Sequence, residues 1–515
     1  MQRVQAVSVF QKCLVIMALC AIANSFASDA EIIGLVAMRR ERPAITGGGI
    51  PVAHPEGQSA TNAWEVNPIY NPSIAFTWTS DLGATNRFPN SVGLESGHAD
   101  GVANQFYSAG AGVAPGILTV DNYDADYFFR NVISNNVAIR GQVANQSFIF
   151  LDDPSPPIDA LYDRYSATYN VLFVSGMNNT PETPPAPGTS YNGIGVGTIF
   201  ASQPSSVGPS SDGRAKPDIV APHSCCTSFS TPLVSGAAVL LLQAGAANAG
   251  GAGTASLATN SAVVKALLLN GAVKTTNWTN GITRPLDARY GAGVLNIYNA
   301  DRQLRGARHT ATFTNNVNTG ASHPPVADTS SVSSLRGWDF STIQSGLLSD
   351  RVAHYRFDLP TNGVAYSATA TLVWIKNIGP LKNLDLFLYD LQSGALMRSS
   401  TSAVDNVEHV FVPRLPAGHY DLQVLKRGGP GEFGGENYAL AFDFAPVQLT
   451  MGRSGNGLVL SWPASAGGFV LQSSSVLDSA AAWQGVTTES ILSNGLNTVV
   501  LSEVSAQQFF RLFRP

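Results

Sequence analysis

Four cysteines in 515 residues exclude a fold stapled by disulfides. Cys13 and Cys20 lie in an N-terminal apolar segment, and Cys225 and Cys226 are adjacent, which forbids a framework of spaced bridges. A strained vicinal bridge, two thiols or an intermolecular bond are the states open to that pair. Charge is equally sparse: Asp, Glu, Lys and Arg make up 13% of the chain, with 30 basic against 35 acidic residues and a net charge of −5. No basic footprint for nucleic acid exists. Beyond the N-terminal run Cys13–Ala23 no second membrane-spanning segment is expected in the mature chain. What the sequence does have is 44% hydrophobic residues, enough for several cores, and 49 glycines that suit a loop-rich chain.

Arg3 and Lys12, the apolar run after them and Ser25-Phe26-Ala27 form a signal-peptide pattern over residues 1–27, with cleavage expected after Ala27. Met17-Ala18-Leu19-Cys20 is a poor lipoprotein box, because a bulky leucine precedes the cysteine. Export, to the medium or the cell surface, is the expected fate.

Thr227-Ser228-Phe229-Ser230-Thr231-Pro232-Leu233-Val234-Ser235-Gly236 sets a serine on a turn ahead of an apolar, Ala-rich helix, with Pro232 expected in the helix's first turn. At a helix N-terminus, unpaired N–H groups and the positive end of the dipole steady a developing oxyanion. Read alone, the same letters are an ordinary capping run. Four other blocks decide between the two. Glu95-Ser96-Gly97-His98-Ala99-Asp100-Gly101-Val102 sets a histidine among small residues at a helix start. Thr46-Gly47-Gly48-Gly49-Ile50-Pro51-Val52-Ala53-His54-Pro55-Glu56 reads as a strand ending in a carboxylate. Gly208-Pro209-Ser210-Ser211-Asp212-Gly213-Arg214-Ala215-Lys216-Pro217-Asp218-Ile219-Val220-Ala221-Pro222 and Tyr290-Gly291-Ala292-Gly293 read as turn and strand scaffold.

Together these blocks resemble subtilisin-like serine peptidases, whose nucleophile segment is Gly-Thr-Ser-x-Ala-Thr-Pro and whose histidine block is His-Gly-Thr-His-Val-Ala-Gly. The resemblance implies an α/β fold with a doubly wound parallel sheet. It implies Ser228 as nucleophile, His98 as general base and Glu56, in place of the family's aspartate, as the acid on His98. Asp81, after the strand-like run 74–80, is the alternative acid. Gly101 stands where the family has its second histidine. Val143-Ala144-Asn145-Gln146-Ser147 resembles the strand whose edge binds extended peptide, which makes Ser147 the marker of a substrate-binding edge. Asn170–Asn179 resembles the strand ending in Ala-Ala-Gly-Asn. Met177 takes the direct position of the oxyanion asparagine, so Asn178 serves only if the loop absorbs one residue. Cys226 replaces a glycine before the nucleophile segment.

The expected partner is a protein or peptide substrate and the expected activity is endopeptidase, without metal or organic cofactor. The competing reading is a decayed peptidase retained as an extracellular binding or adhesion module, favoured by Glu56, Met177 and Cys226. Little sequence separates the signal from Gly47, so a folded inhibitory propeptide of the family's usual kind is not expected.

The peptidase domain is expected at 28–305, with every candidate catalytic residue inside it and folding independent of the residues beyond 305. Polar residues 306–334 read as a linker. Alternating runs such as 369–374, 384–390, 407–412, 419–424 and 438–442 then predict a β-sandwich at 335–446, and Asn383–Leu386, Asp405–Glu408 and Leu415–Tyr420 resemble the jelly-roll domain that often follows secreted peptidases of this family. A small β domain at 447–515 completes the plan, its role read as surface attachment. Asp385, Asp390, Asp405 and Glu408 could serve a structural calcium ion, but scattered loop carboxylates are ordinarily solvated, so calcium is left unassigned.

Overall fold

The computed structural model of the protein describes residues 28–150, 155–320, 323–325, 332, 334–361, 364–454, 457–464, 468–477, 482–493, 496–502 and 507–513. The signal-peptide pattern lies outside the described residues. The first half is built on an eight-stranded sheet of β1 (Val52–Glu56), β2 (Ala75–Ser80), β3 (Gly83–Thr85), β4 (Thr119–Asp124), β5 (Val143–Gln146), β6 (Leu172–Gly176), β7 (Ile194–Ile199) and β8 (Ile219–Pro222). Their spatial order is β8-β7-β6-β5-β1-β4-β2-β3, parallel throughout except for the β2–β3 hairpin at one edge. Strands β1, β5, β6 and β8 are buried along their whole length, as strands covered on both faces must be.

Five helices matter for the site: α1 (Gly97–Phe106), α2 (Ser155–Tyr169), α3 (Thr227–Ala246), α4 (Ser261–Gly271) and α5 (Ile297–Arg305). Alternation along the strands feeds two cores. Val52, Val120, Val143, Leu172 and Val196 pack with α3 and α4 on one face. Ala53, Ala144 and Phe173 pack with Phe128, Tyr162 and Tyr165 on the other. The sheet is therefore doubly wound, as the sequence predicts. Helix α3 is apolar on nearly every side and long enough to cross a membrane, but it is buried in this layer, which accounts for its composition.

The Gly208–Pro222 and Tyr290–Gly293 blocks close the sheet's far edge. Asp218 takes Lys216 at 2.5 Å and Lys265 at 3.1 Å. Gly291 is left-handed at φ 57°, and a Cβ there would lie 2.4 Å from the Asp218 backbone, so no other residue fits.

The second half is all β. A five-stranded sheet (Thr312–Asn318, Ser349–Leu359, Gly418–Lys426, Leu384–Asp390, Leu396–Ser400 in spatial order) faces a four-stranded one (Arg336–Ser345, Gly434–Pro446, Tyr366–Trp374, Val407–Leu415). Both are antiparallel, and their inner faces share a core of residues such as Tyr355, Phe357, Leu386, Leu422 and Phe442. Two smaller antiparallel sheets come after them, over a core of Leu460, Trp462, Leu471 and Val499.

Two expectations need correction. Residues 312–318, read as linker for their Thr and Asn content, form the edge strand paired with Ser349–Leu359; on an edge strand one side faces solvent, so a polar sequence is tolerated. Nor is the α/β unit closed off at 305. Trp338, Val373, Val407, Ala439 and Ala441 of the sandwich belong to the same buried cluster as α3 and α4. Polar bonds cross the junction too: Asn270 Oδ1 accepts from Thr369 and Thr371 at 3.0 Å each, and Asp405 Oδ1 accepts from the Ala215 N–H at 2.8 Å.

The four carboxylates considered for calcium serve their own surroundings. Asp390 caps the turn at Gln392 and Ser393, Asp405 binds Ala215 and Ser402, Glu408 binds Ser400 and Ser402, and Asp385 binds Asn383. No group of three or more His, Cys, Asp or Glu is placed to hold a metal among the described residues.

Candidate active site

Glu56 ends β1. Pairing with β5 covers only Val52 and Ala53, whereas pairing with β4 runs on to Glu56. Pro55 thus sits where the strand has a single neighbour, which is where a residue without an N–H is tolerated. His54 and Glu56 share a face, two residues apart. His98 is the second residue of α1, whose N-cap Ser96 accepts the Ala99 N–H at 3.4 Å. The carboxylate and the imidazole meet there: His98 Nδ1 lies 2.7 Å from Glu56 Oε1.

Glu56 is fully buried and His98 partly exposed. Burial opposes ionisation of Glu56, yet the His98 charge and the bonds from His54 and His98 outweigh it and hold the carboxyl below its ordinary range. Burial likewise favours the neutral form of His98, but the Glu56 charge and hydrogen bond prevail and raise the imidazole above its usual value.

Ser228 is the second residue of α3, in a first turn where the Phe229 N–H reaches only the N-cap carbonyl of Cys226, at 3.3 Å. Ser228 and His98 line one cavity of about 30 Å³ with Ser147, Phe148, Ile149, Gly176, Met177, Asn178, Asn179 and Thr227. The Phe229 ring lies against His98, with 5.7 Å between centroids. A Cβ at Gly101 would come within 2.6 Å of that ring. Phe229 thus occupies the space that a side chain at 101 would take.

Pro232 is not in the first turn, as its sequence position suggests, but is the sixth residue of α3. A proline there leaves the carbonyl four residues earlier without its helical donor, and that carbonyl belongs to Ser228. Ser147 Oγ supplies the missing bond at 2.9 Å, while accepting from Asn145 Nδ2 at 3.2 Å. Ser147, expected at a substrate-binding edge, is thus placed by the structure as a tie on the serine turn.

Of the other predicted residues, Asp81 is exposed and its carboxylate holds Arg130 at 2.5 Å. The structure does not bring it to His98, because its strand lies beyond β4. Asn178 lines the cavity, and its Oδ1 accepts the Asn179 N–H at 2.8 Å. Asn179, which no sequence motif singles out, lines it too. Its Oδ1 accepts the Thr227 N–H at 2.9 Å. A backbone N–H can only donate, so the atom it faces must be the amide oxygen, and the Asn179 amino group is left for other partners. Met177, just before them, is buried, its methyl fitted where Gly188 and Gly195 lack side chains. Cys225 and Cys226 precede α3 as thiols with sulfurs 2.9 Å apart, Cys226 in the N-cap position.

The parallel α/β sheet thus gathers a serine, a histidine and a buried carboxylate at the ends of its strands and helices. Residues 129–293, within the α/β half, match the family model described as the Subtilase family. That match includes Ser228 and the scaffold blocks, while Glu56 and His98 lie before it. No curated protein matches the chain. Among solved structures it is similar to the patellamide maturation protease PatA, at 22% identity over 51% of this chain and 98% of that one, with a TM-score of 0.37. A cold adapted subtilisin-like serine proteinase is similar at 20% identity over 49% and 89%, with a TM-score of 0.34. The serine protease of Aeromonas sobria is similar at 12% identity over 94% and 93%, with a TM-score of 0.37.

Proposed function

We propose that this chain is an exported serine endopeptidase acting through Ser228, His98 and Glu56. The observation that carries the reading is the buried carboxylate of Glu56 at 2.7 Å from His98 Nδ1, with His98 and Ser228 on one cavity. In the reaction so read, His98 Nε2 takes the proton of Ser228 as its Oγ attacks the scissile carbonyl. Glu56 accepts the Nδ1–H, fixes the tautomer and stabilises the imidazolium. The tetrahedral intermediate collapses as His98 returns the proton to the leaving amine, and water resolves the acyl-enzyme by the same steps. The first turn of α3 and an amide N–H of Asn179 or Asn178 are the oxyanion donors in this scheme. No metal ion or organic cofactor enters it. Substrate is an extended peptide or unfolded protein, and the C-terminal β region serves attachment or substrate capture. Export rests on the pattern of residues 1–27.

The test is hydrolysis of casein by the full chain and by Ser228→Ala. The reading expects loss of roughly 10⁶ in turnover on that substitution. Equal rates overturn it, and a wild type that binds casein without cleaving it favours the decayed binding module instead.

A further inference from the structure

A second histidine sits on the carboxylate that orients the first. His54 is fully buried on β1, two residues before Glu56, and its Nε2 lies 3.2 Å from Glu56 Oε2. Its Nδ1 lies 2.8 Å from the Tyr107 hydroxyl, just past the end of α1, and the two rings meet edge to face with centroids 5.9 Å apart. Asn122 Nδ2 holds the His54 carbonyl at 2.8 Å, so the strand end that carries both side chains is fixed.

We infer that His54 is a positioning residue for the proposed reaction: Tyr107 O–H donates to His54 Nδ1, His54 Nε2–H donates to Glu56 Oε2, and the carboxylate so clamped presents Oε1 to His98. The inference rests on the peptidase reading for its kinetic meaning, but the hydrogen-bonded chain can be tested without it.

The tautomer is fixed by elimination. With the proton on Nδ1, His54 would turn a lone pair on Nε2 toward a carboxylate oxygen. A doubly protonated ring would leave the Tyr107 hydrogen without this acceptor, since both ring nitrogens would then donate. Neutral His54 protonated at Nε2 satisfies every atom of the chain. Tyr107 remains a donor at all working pH, since burial, with Asp100 and Glu56 nearby, pushes its pKa well above the ordinary value. The clamp also answers a difficulty peculiar to this chain. Glutamate has one more rotatable bond than aspartate and, with a single oxygen held, would swing about it. Two donors on two oxygens remove that freedom, and a misplacement of about 1 Å in a catalytic group costs on the order of 10² in rate. The titratable groups facing the chain are His98 with the neighbouring Cys225 thiol on one side, and Asp100 beside Tyr107 on the other.

The experiment compares wild type with His54→Leu, His54→Gln and Tyr107→Phe in the full chain. Kinetics on a peptide ester are normalised to the fraction of protein that a fluorophosphonate titrates. Expected is a fall in kcat of about 10² for His54→Leu with KM unchanged, substantial recovery in His54→Gln, whose amide can still donate to Oε2, and a smaller loss in Tyr107→Phe. A merely structural role predicts fewer titrated sites turning over at the wild-type rate, and that result overturns the inference. The second arm is imidazole NMR of Ser228→Ala protein. It should show His54 protonated at Nε2 and a His98 Nδ1–H resonance that shifts when His54 or Tyr107 is changed. An unmoved His98 resonance also overturns the inference. If wild type is inert to probe and ester, the peptidase reading falls while the NMR arm still decides the chain. If His54→Leu does not fold, Tyr107→Phe and His54→Gln carry both arms.

Discussion

Ser147→Ala should destabilise the protein through the Ser228 carbonyl. Ser147 Oγ is the donor to Ser228 C=O, at 2.9 Å, in a helix whose Pro232 cannot donate to that oxygen. Removing the hydroxyl leaves a partly buried acceptor unpaired, which costs about 1–3 kcal/mol, and partial access of water to the site places the expected value at about 1–2 kcal/mol. Pro232→Ala restores an N–H four residues after Ser228, so the same Ser147 substitution made in that background should cost only a few tenths of a kcal/mol. The measurement is a double-mutant cycle on the denaturant midpoint of the α/β unit, followed by calorimetry to confirm that the same transition is read. The expected coupling is about 1 kcal/mol. Strictly additive effects would refute the argument that proline strands the carbonyl and serine satisfies it.

Glu56→Gln should lower kcat/KM by about 10⁴, the scale of losing the carboxylate partner in another triad, whereas Asp81→Asn, on an exposed pair with Arg130, should leave it unchanged. The acid limb of the pH–rate profile should also move. His98 must be neutral to act as base, and the Glu56 charge raises its pKa, so activity should rise through a pH above the ordinary histidine range, and the residual activity of Glu56→Gln should rise through a lower one. Asn179→Ala should cost roughly 10²–10³ in turnover if its amino group supplies the oxyanion bond; should Asn178→Ala carry that loss instead, the donor is the residue the sequence first suggests. A chain ended at residue 305 should be insoluble or bind hydrophobic dyes, because it exposes the apolar surface that Trp338, Val373, Ala439 and Ala441 cover. A soluble, cooperatively unfolding truncation would show the shared core to be dispensable.

That Ser228 and His98 line one cavity was legible through the resemblance of their short blocks to a known family, since the serine block read alone is an ordinary capping run. Glu56, which the structure sets beside His98, was reached through the resemblance of the Thr46–Glu56 block to the family's acid-bearing strand. The structure then separates it from Asp81 by something no local pattern holds, the order of strands in the sheet. His54 was hidden in plain view. A His-x-Glu pair in a strand shares one face, and that signal was available, but its meaning depends on Tyr107, 53 positions away. The roles of Ser147 and Asn179 were closed to sequence for the same reason, since each is defined by a partner on α3. The strand 312–318 was missed because an exposed edge strand imitates a linker in composition. The shared core was missed because residues such as Ala439 and Ala441 read equally well as the inside of a sandwich or as its contact with a helix.

The central claim is that Ser228, His98 and Glu56 act as one nucleophilic unit, and the rate of covalent labelling by a fluorophosphonate tests it most directly. The account predicts a single adduct on the peptide containing Ser228. Labelling should be absent in Ser228→Ala and slowed by orders of magnitude in His98→Ala and Glu56→Gln, all three remaining folded. An adduct on another residue, or equal labelling rates with and without His98 and Glu56, would contradict it.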